Sequence, residues 1–180
     1  DRPGITRDRK ELEAEWLGVP FRVIDTGGWM PGGGDLDVKV SRQVEAAVAE
    51  ADVVLMVVDA SVGMTDDDEA VAAWLRRLDK RVIVVANKAD NDRREDERWE
   101  FMALGLGEPY PISALHGRRA GDLLDVVVAA FPSHGARTDA ERLAPGAVDG
   151  SLPDDEELEA APWSPEEPRP PRVAIVGRPN

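Results

Sequence analysis

Apolar positions in this chain fall into short, dense runs separated by longer stretches of mixed character. Phe21-Arg22-Val23-Ile24-Asp25, Val53-Val54-Leu55-Met56-Val57-Val58-Asp59 and Val82-Ile83-Val84-Val85-Ala86-Asn87 are rich in β-branched residues, and each ends in a polar one. Near-continuous runs of this kind suit strands covered on both faces, as in a parallel sheet. Between them, residues 38–50 and 66–78 carry helical spacing. The second stretch follows a cap-type Thr65, opens on acids, and repeats Val71, Trp74, Leu75 and Leu78 along one face. Further helices are expected over 94–104 and 121–131. Such alternation predicts an α/β fold with a doubly wound sheet. Residues 9–16 and 21–25, joined through Leu17-Gly18-Val19-Pro20, predict a hairpin at the front.

The pattern changes near residue 132. Eight of the 14 prolines lie between 132 and 171, and there ten acids face three arginines, a net charge of −7 out of −14 for the chain. A segment so polar and proline-rich cannot bury enough apolar surface to offset its ordering entropy, so 133–171 is expected to be a disordered linker. Arg172-Val173-Ala174-Ile175-Val176-Gly177 then restarts a buried-strand pattern.

Charge and composition remove several function classes. With 22 basic and 36 acidic residues, the chain has no broad basic face for DNA or RNA. The absence of cysteine excludes disulfides and thiolate metal sites, and the two histidines, His116 and His134, are too far apart for a ligand pair. No apolar run reaches the roughly 18 residues of a membrane span, and the front shows no signal-peptide pattern. A cytoplasmic protein is the expectation. The chain begins at Asp1 in a turn-rich stretch and ends directly after Val-Gly-Arg-Pro, which reads as a fragment of a longer protein.

Ligands of doubly wound sheets bind at the carboxyl ends of the strands, so the residues after each run carry the chemistry. Asp25-Thr26-Gly27-Gly28 places a carboxylate at a strand tip, where it can hold the water shell of Mg²⁺, while the glycines allow close approach of a phosphate. The same residues also serve ordinary turns. Asn87-Lys88-Ala89-Asp90 follows the third run. A carboxylate there can accept two N–H bonds from guanine, which adenine cannot match, and Lys88 can lay its stem along the ring. Asn and Asp are equally good helix caps. Ser113 and Ala114, after a short strand near Pro111, can close over a base with backbone N–H groups. Thr6 offers a hydroxyl in a glycine-containing stretch.

Each signal is weak alone. Their order is not. A threonine loop, then DTGG, then NKAD 62 positions later, then SAL 26 positions further on, is the order of the guanine-nucleotide motifs of a GTPase domain. Arg2-Pro3-Gly4-Ile5-Thr6-Arg7-Asp8, Asp25-Thr26-Gly27-Gly28-Trp29 and Ser113-Ala114-Leu115-His116-Gly117 resemble the bacterial Der (EngA) family of tandem GTPases, in the TrmE-Era-EngA-like group of P-loop GTPases. The resemblance covers residues 1–132. It implies a Ras-like doubly wound sheet that here lacks its own first strand and P-loop. Val173-Ala174-Ile175-Val176-Gly177-Arg178-Pro179-Asn180 resembles the first strand and opening half of a second phosphate loop, making 172–180 the start of a second GTPase domain. A single-domain relative such as Era, or MnmE, would not show that restart.

The resemblance further implies roles. Thr6 and Asp25 would meet Mg²⁺, and Thr6 and Gly28 the γ-phosphate of GTP. Asn87, Lys88 and Asp90 would read the base of GTP or GDP, supported by Ser113 and Ala114. Gly177 and Asn180 would belong to the second phosphate loop, Asn180 matching an asparagine that holds K⁺. Trp29 stands where Ras-type enzymes carry the glutamine that orients water, and cannot perform that task. The family acts in assembly of the large ribosomal subunit, which implies rRNA contact by the longer parent. Without a complete phosphate loop, hydrolysis is expected of that parent and not of this chain. A non-hydrolysing GTP-binding or ribosome-interaction module is the alternative.

One structural expectation follows. In this sheet type the first strand lies at the centre, between 21–25 and 53–59, and leaving that slot empty would strand two ladder edges. Either 173–176 fills the slot in parallel, or the tail stays loose.

Overall fold

The computed structural model describes residues 10–27, 35–132 and 169–177. Of the linker expected over 133–171, residues 133–168 lie outside the described residues, as do Thr6, Gly28, Trp29 and Asn180.

The hairpin forms as expected. β1 (Lys10–Trp16) pairs antiparallel with β2 (Val19–Asp25), from Trp16 opposite Val19 to Lys10 opposite Asp25. The turn is shorter than the sequence suggested, because Val19 and Pro20 already belong to β2. Leu17 and Gly18 alone connect the strands, with φ of 52° and 74°. Two consecutive positive φ values match the twist of a two-residue hairpin.

After α1 (Asp35–Glu50), three further strands alternate with helices: β3 (Val53–Asp59), α2 (Asp66–Leu75), β4 (Arg81–Asn87), α3 (Asp92–Glu97), a 3₁₀ turn over Arg98–Leu104, β5 (Tyr110–Pro111) and α4 (Ala120–Ala129). α2 starts where Thr65 accepts from the Asp68 N–H while the Asp68 carboxylate accepts from the Thr65 N–H. That reciprocal cap satisfies two donors otherwise left open at the helix start. The helix ends three residues before expectation. The helix expected over 94–104 instead divides at Arg98, where a 3₁₀ helix carries Phe101 and Leu104 into the core and leaves Trp99 about half exposed.

The slot is filled. Sheet order is β1-β2-β6-β3-β4-β5, with β6 (Arg172–Gly177) lying parallel between β2 and β3. Ala174 stands opposite both Ile24 and Val54, and Gly177 opposite Val57. Its side chains serve both faces. Ala174 and Val176 join Ile24, Val54, Met56 and Val84 under α1 and α2, whereas Val173 joins Phe21, Val53, Leu55 and Val85 under α4. Phe21 and Phe131 meet in that second layer at 5.6 Å between ring centroids.

Burial of one Val side chain is worth about 1.5–3 kcal/mol. Closing about 40 intervening residues costs about 3 kcal/mol of loop entropy. Two buried valines, an apolar Ile175 and two completed ladders outweigh that cost, so docking wins over a loose tail. The approach to β6 is pinned too. Pro171 O accepts from the Arg22 N–H at 2.8 Å, and Asp52 exchanges backbone and side-chain bonds with Arg172 at 2.8 and 2.9 Å. The Arg169 guanidinium spans both Asp52 carboxylate oxygens at 3.1 and 3.4 Å.

Candidate functional site

Because β2, β6, β3, β4 and β5 all run in one direction, their carboxyl ends share one edge of the sheet. Asp25, Gly177, Asp59 and Asn87 close four of those strands. Ser113 follows the fifth. Residues scattered over 150 positions therefore line one rim, the place where such sheets bind ligands.

At the β4 end, Asn87 and Asp90 are held from the loop after β5. The Ala114 N–H donates to Asn87 Oδ1 at 3.0 Å, and Ser113 Oγ donates to Asp90 Oδ1 at 2.6 Å. Ser113 is fully buried and its backbone pairs in both directions with Arg118, at 3.0 and 3.1 Å. The Ala89 N–H donates to Ile112 O at 2.9 Å. Both backbone N–H groups that the sequence offered to a base are thus engaged within the protein. Ser113 and Ala114 instead hold the side chains of Asp90 and Asn87.

Lys88 sits at φ 66°, a left-handed conformation costly for a residue with a Cβ and typical of functional sites. Asn87 Oδ1 accepts its N–H at 2.8 Å, and its ammonium meets Asp59 Oδ2 at 2.7 Å. Asp59 Oδ1 accepts from the Ser61 N–H and hydroxyl. Burial pushes the Asp59 carboxyl up, but the bonds from Lys88 and Ser61 and the ammonium charge outweigh it, leaving Asp59 below its ordinary value. Asp59 directs the Lys88 stem across the rim.

Behind the Ser113 loop, Glu95 binds two arginines. Its Oε1 accepts from Arg118 Nε at 2.5 Å and its Oε2 from Arg119 Nη1 at 3.1 Å. Arg118 also bonds Asp92, and Arg119 reaches Asp122 at 3.2 Å. Burial raises the Glu95 carboxyl, yet the two guanidiniums hold it below the usual glutamate range.

At the other end of the rim, Asp25 Oδ1 accepts from the Gly27 N–H at 3.0 Å, and the Thr26 hydroxyl donates to Ile175 O at 2.7 Å. Thr26 thereby ties the DTGG turn to β6. Gly177 needs its hydrogen, since a Cβ there would stand 2.6 Å from Val57 O.

The structure thus brings Asn87, Lys88, Asp90, Ser113 and Ala114 together, and sets Asp25 opposite Ile175, two residues before Gly177. Among the described residues no group of three or more His, Asp or Glu side chains forms a metal cage. Sequence reasoning passed over Asp59 and Glu95. Asp59 carried a usable signal, a polar residue closing an apolar run like Asp25 and Asn87. Glu95 carried none, being one acid among many.

A doubly wound sheet in the order seen here, with an NKAD tip braced by a Ser-Ala loop, defines a GTPase domain of the P-loop class. Residues 1–88 match the family described as 50S ribosome-binding GTPase. Over the whole chain, the GTPase Der of Salinispora tropica is 48% identical and that of Streptomyces coelicolor 44%. The chain belongs to the GTPase Der family. It spans about a third of the length of these relatives, 33% and 34% respectively. Among solved structures, Aquifex aeolicus Era bound to GDP and AlF4⁻ shares the fold with a TM-score of 0.55 at 24% identity, over 69% of this chain and 46% of that one. The elongation factor SelB of Methanococcus maripaludis, with the GTP analogue GppNHp, gives 0.54 at 21%, over 69% of this chain and 28% of that one.

Proposed function

We propose that this chain forms the base-reading part of a Der-type GTPase that acts in the cytoplasm in assembly of the large ribosomal subunit. The observation that carries the nucleotide assignment is the pair of bonds from Ala114 to Asn87 and from Ser113 to Asp90. They fix two polar side chains at one strand tip, with the second oxygen of Asp90 unpartnered among the described residues. Guanine presents two adjacent donors to one carboxylate, and adenine does not. Asn87 and Lys88 complete the reading, Lys88 covering the ring with its stem.

Mg²⁺ fits the donor set. The ion needs only one or two carboxylates beside nucleotide phosphates and water, and Asp25 supplies one at the rim. It would neutralise phosphate charge. Thr6 is assigned to the same ion, and Gly28 to the γ-phosphate. The K⁺ assignment rests on Asn180 and the family resemblance. Residues 172–180 read as the opening of a second GTPase domain's phosphate loop, with Gly177 its first glycine. No Gly-x-x-x-x-Gly-Lys-Ser/Thr segment occurs within the 180 residues, so hydrolysis is assigned to the longer protein and not to this chain alone. The ribosomal role is supported by the family description, a 50S ribosome-binding GTPase, and rRNA contact rests on the family resemblance. No membrane or DNA partner is proposed.

Calorimetric titration of GTP and ATP against the full-length protein tests the assignment. Asp90→Asn in the first domain, with the second domain's base site disabled, should lose about 1–3 kcal/mol of guanine preference. Equal GTP affinity in wild type and variant would refute it.

A further inference from the structure

We infer that Glu95 is a positioning residue for guanine selectivity, holding Asp90 in place through Arg118. The inference rests on the guanine-reading role of Asp90 given above.

The contacts close a ring. Asp90 is followed by Asn91, whose side chain accepts from the Arg94 N–H at 3.0 Å and starts α3. One turn later Glu95 projects from that helix, its side chain 14% exposed in a chain where most acids face water. It grips Arg118 at 2.5 Å, and Arg118 in turn pairs its backbone with Ser113 in both directions. The Ser113 hydroxyl returns to Asp90 at 2.6 Å. Between Ser113 and Arg118 the loop is held by the Ala114 N–H on Asn87 and the His116 N–H on Ser113 Oγ, while Leu115 is 85% exposed and Gly117 adopts φ 67°, so Arg118 anchors its far end. Arg119, also at positive φ, begins α4 with no side-chain cap of its own. Two adjacent guanidiniums repel each other, and Glu95 accepts from both. A neutral side chain at position 95 keeps the shape but loses the charge that gathers them. The loop would then loosen, and with it the Ser113 bond that orients the Asp90 carboxylate.

A purely structural brace would weaken all nucleotides alike. A brace acting through Asp90 weakens the preference for the guanine amino group, which inosine nucleotides lack. The test uses full-length protein whose second domain cannot bind nucleotide. GDP, IDP and ADP compete against a fluorescent GDP analogue, with thermal melting as the folding control. Glu95→Gln should cut the GDP-over-IDP preference about tenfold, equivalent to about 1.4 kcal/mol, with ADP affinity unchanged. Arg118→Lys, which keeps the charge but loses the planar fork, should act in the same direction on an exposed side chain. If Glu95→Gln fails to fold, Arg118→Lys decides alone. An unchanged GDP-over-IDP ratio in a folded variant overturns the inference while leaving the guanine reading intact. Absence of GDP-over-ADP preference in the wild type overturns that reading, and this inference with it.

Discussion

Gly177→Ala adds one methyl group at the end of β6, and whether it costs stability depends on where that strand lies. An alanine Cβ would meet Val57 O at 2.6 Å, Val57 Cβ at 3.4 Å and Val57 C at 3.5 Å. The nearest atom is backbone of a central strand, tied to β4 on its far side, so it cannot move aside alone. Relief requires parting β3 from β6, with loss of ladder bonds and of the packing of Val176. Overfilling a tight core costs about 1–3 kcal/mol. For a domain of this size that lowers the melting temperature by about 3–15 °C. Were the strand loose, the same change would leave stability nearly unchanged, because a residue that is free in both the folded and the unfolded chain loses no conformational entropy on folding. Calorimetry of the 180-residue chain and its variant reads the difference directly. A melting temperature equal to or above wild type would refute the placement of β6 between β2 and β3.

Asp52→Ala removes the acceptor for the Arg172 N–H and for Arg169, and should cost about 1–3 kcal/mol; an unchanged urea midpoint would dismiss the anchor. Acid should unfold the chain partly through Asp59 and Glu95, whose carboxyls lie below their ordinary 3.8 and 4.5 in the folded state. Their stabilisation is complete above those ordinary values and disappears as pH falls through the lower folded ones. Melting temperature should therefore drop more steeply below about pH 4.5 in wild type than in Asp59→Asn/Glu95→Gln, and equal slopes would contradict the assignment.

Much of this molecule was legible along the chain because its signals are local. Apolar run length distinguished covered strands from helices, Thr65 before a run of acids marked a helix start, and Leu17-Gly18-Val19-Pro20 marked a hairpin connection that the structure tightens to two residues. The order of DTGG, NKAD and SAL was enough to point to the strand tips, where the structure gathers Asn87, Asp90, Ser113 and Ala114. Helix ends were less legible. The break at Arg98 depends on how Phe101 and Leu104 reach the sheet, which periodicity does not record. The sequence also showed that a central strand was needed and that 173–176 had the right composition. Whether that strand docks is a balance between burial on two faces and loop entropy, settled by the fit of Ala174 and Gly177 against Val54 and Val57. The charged partners of Asp59 and Glu95 were decided by tertiary structure. A carboxylate's partner depends on which charge the fold sets beside it, and both acids find theirs 23 or more positions away, on elements that only the finished sheet brings together.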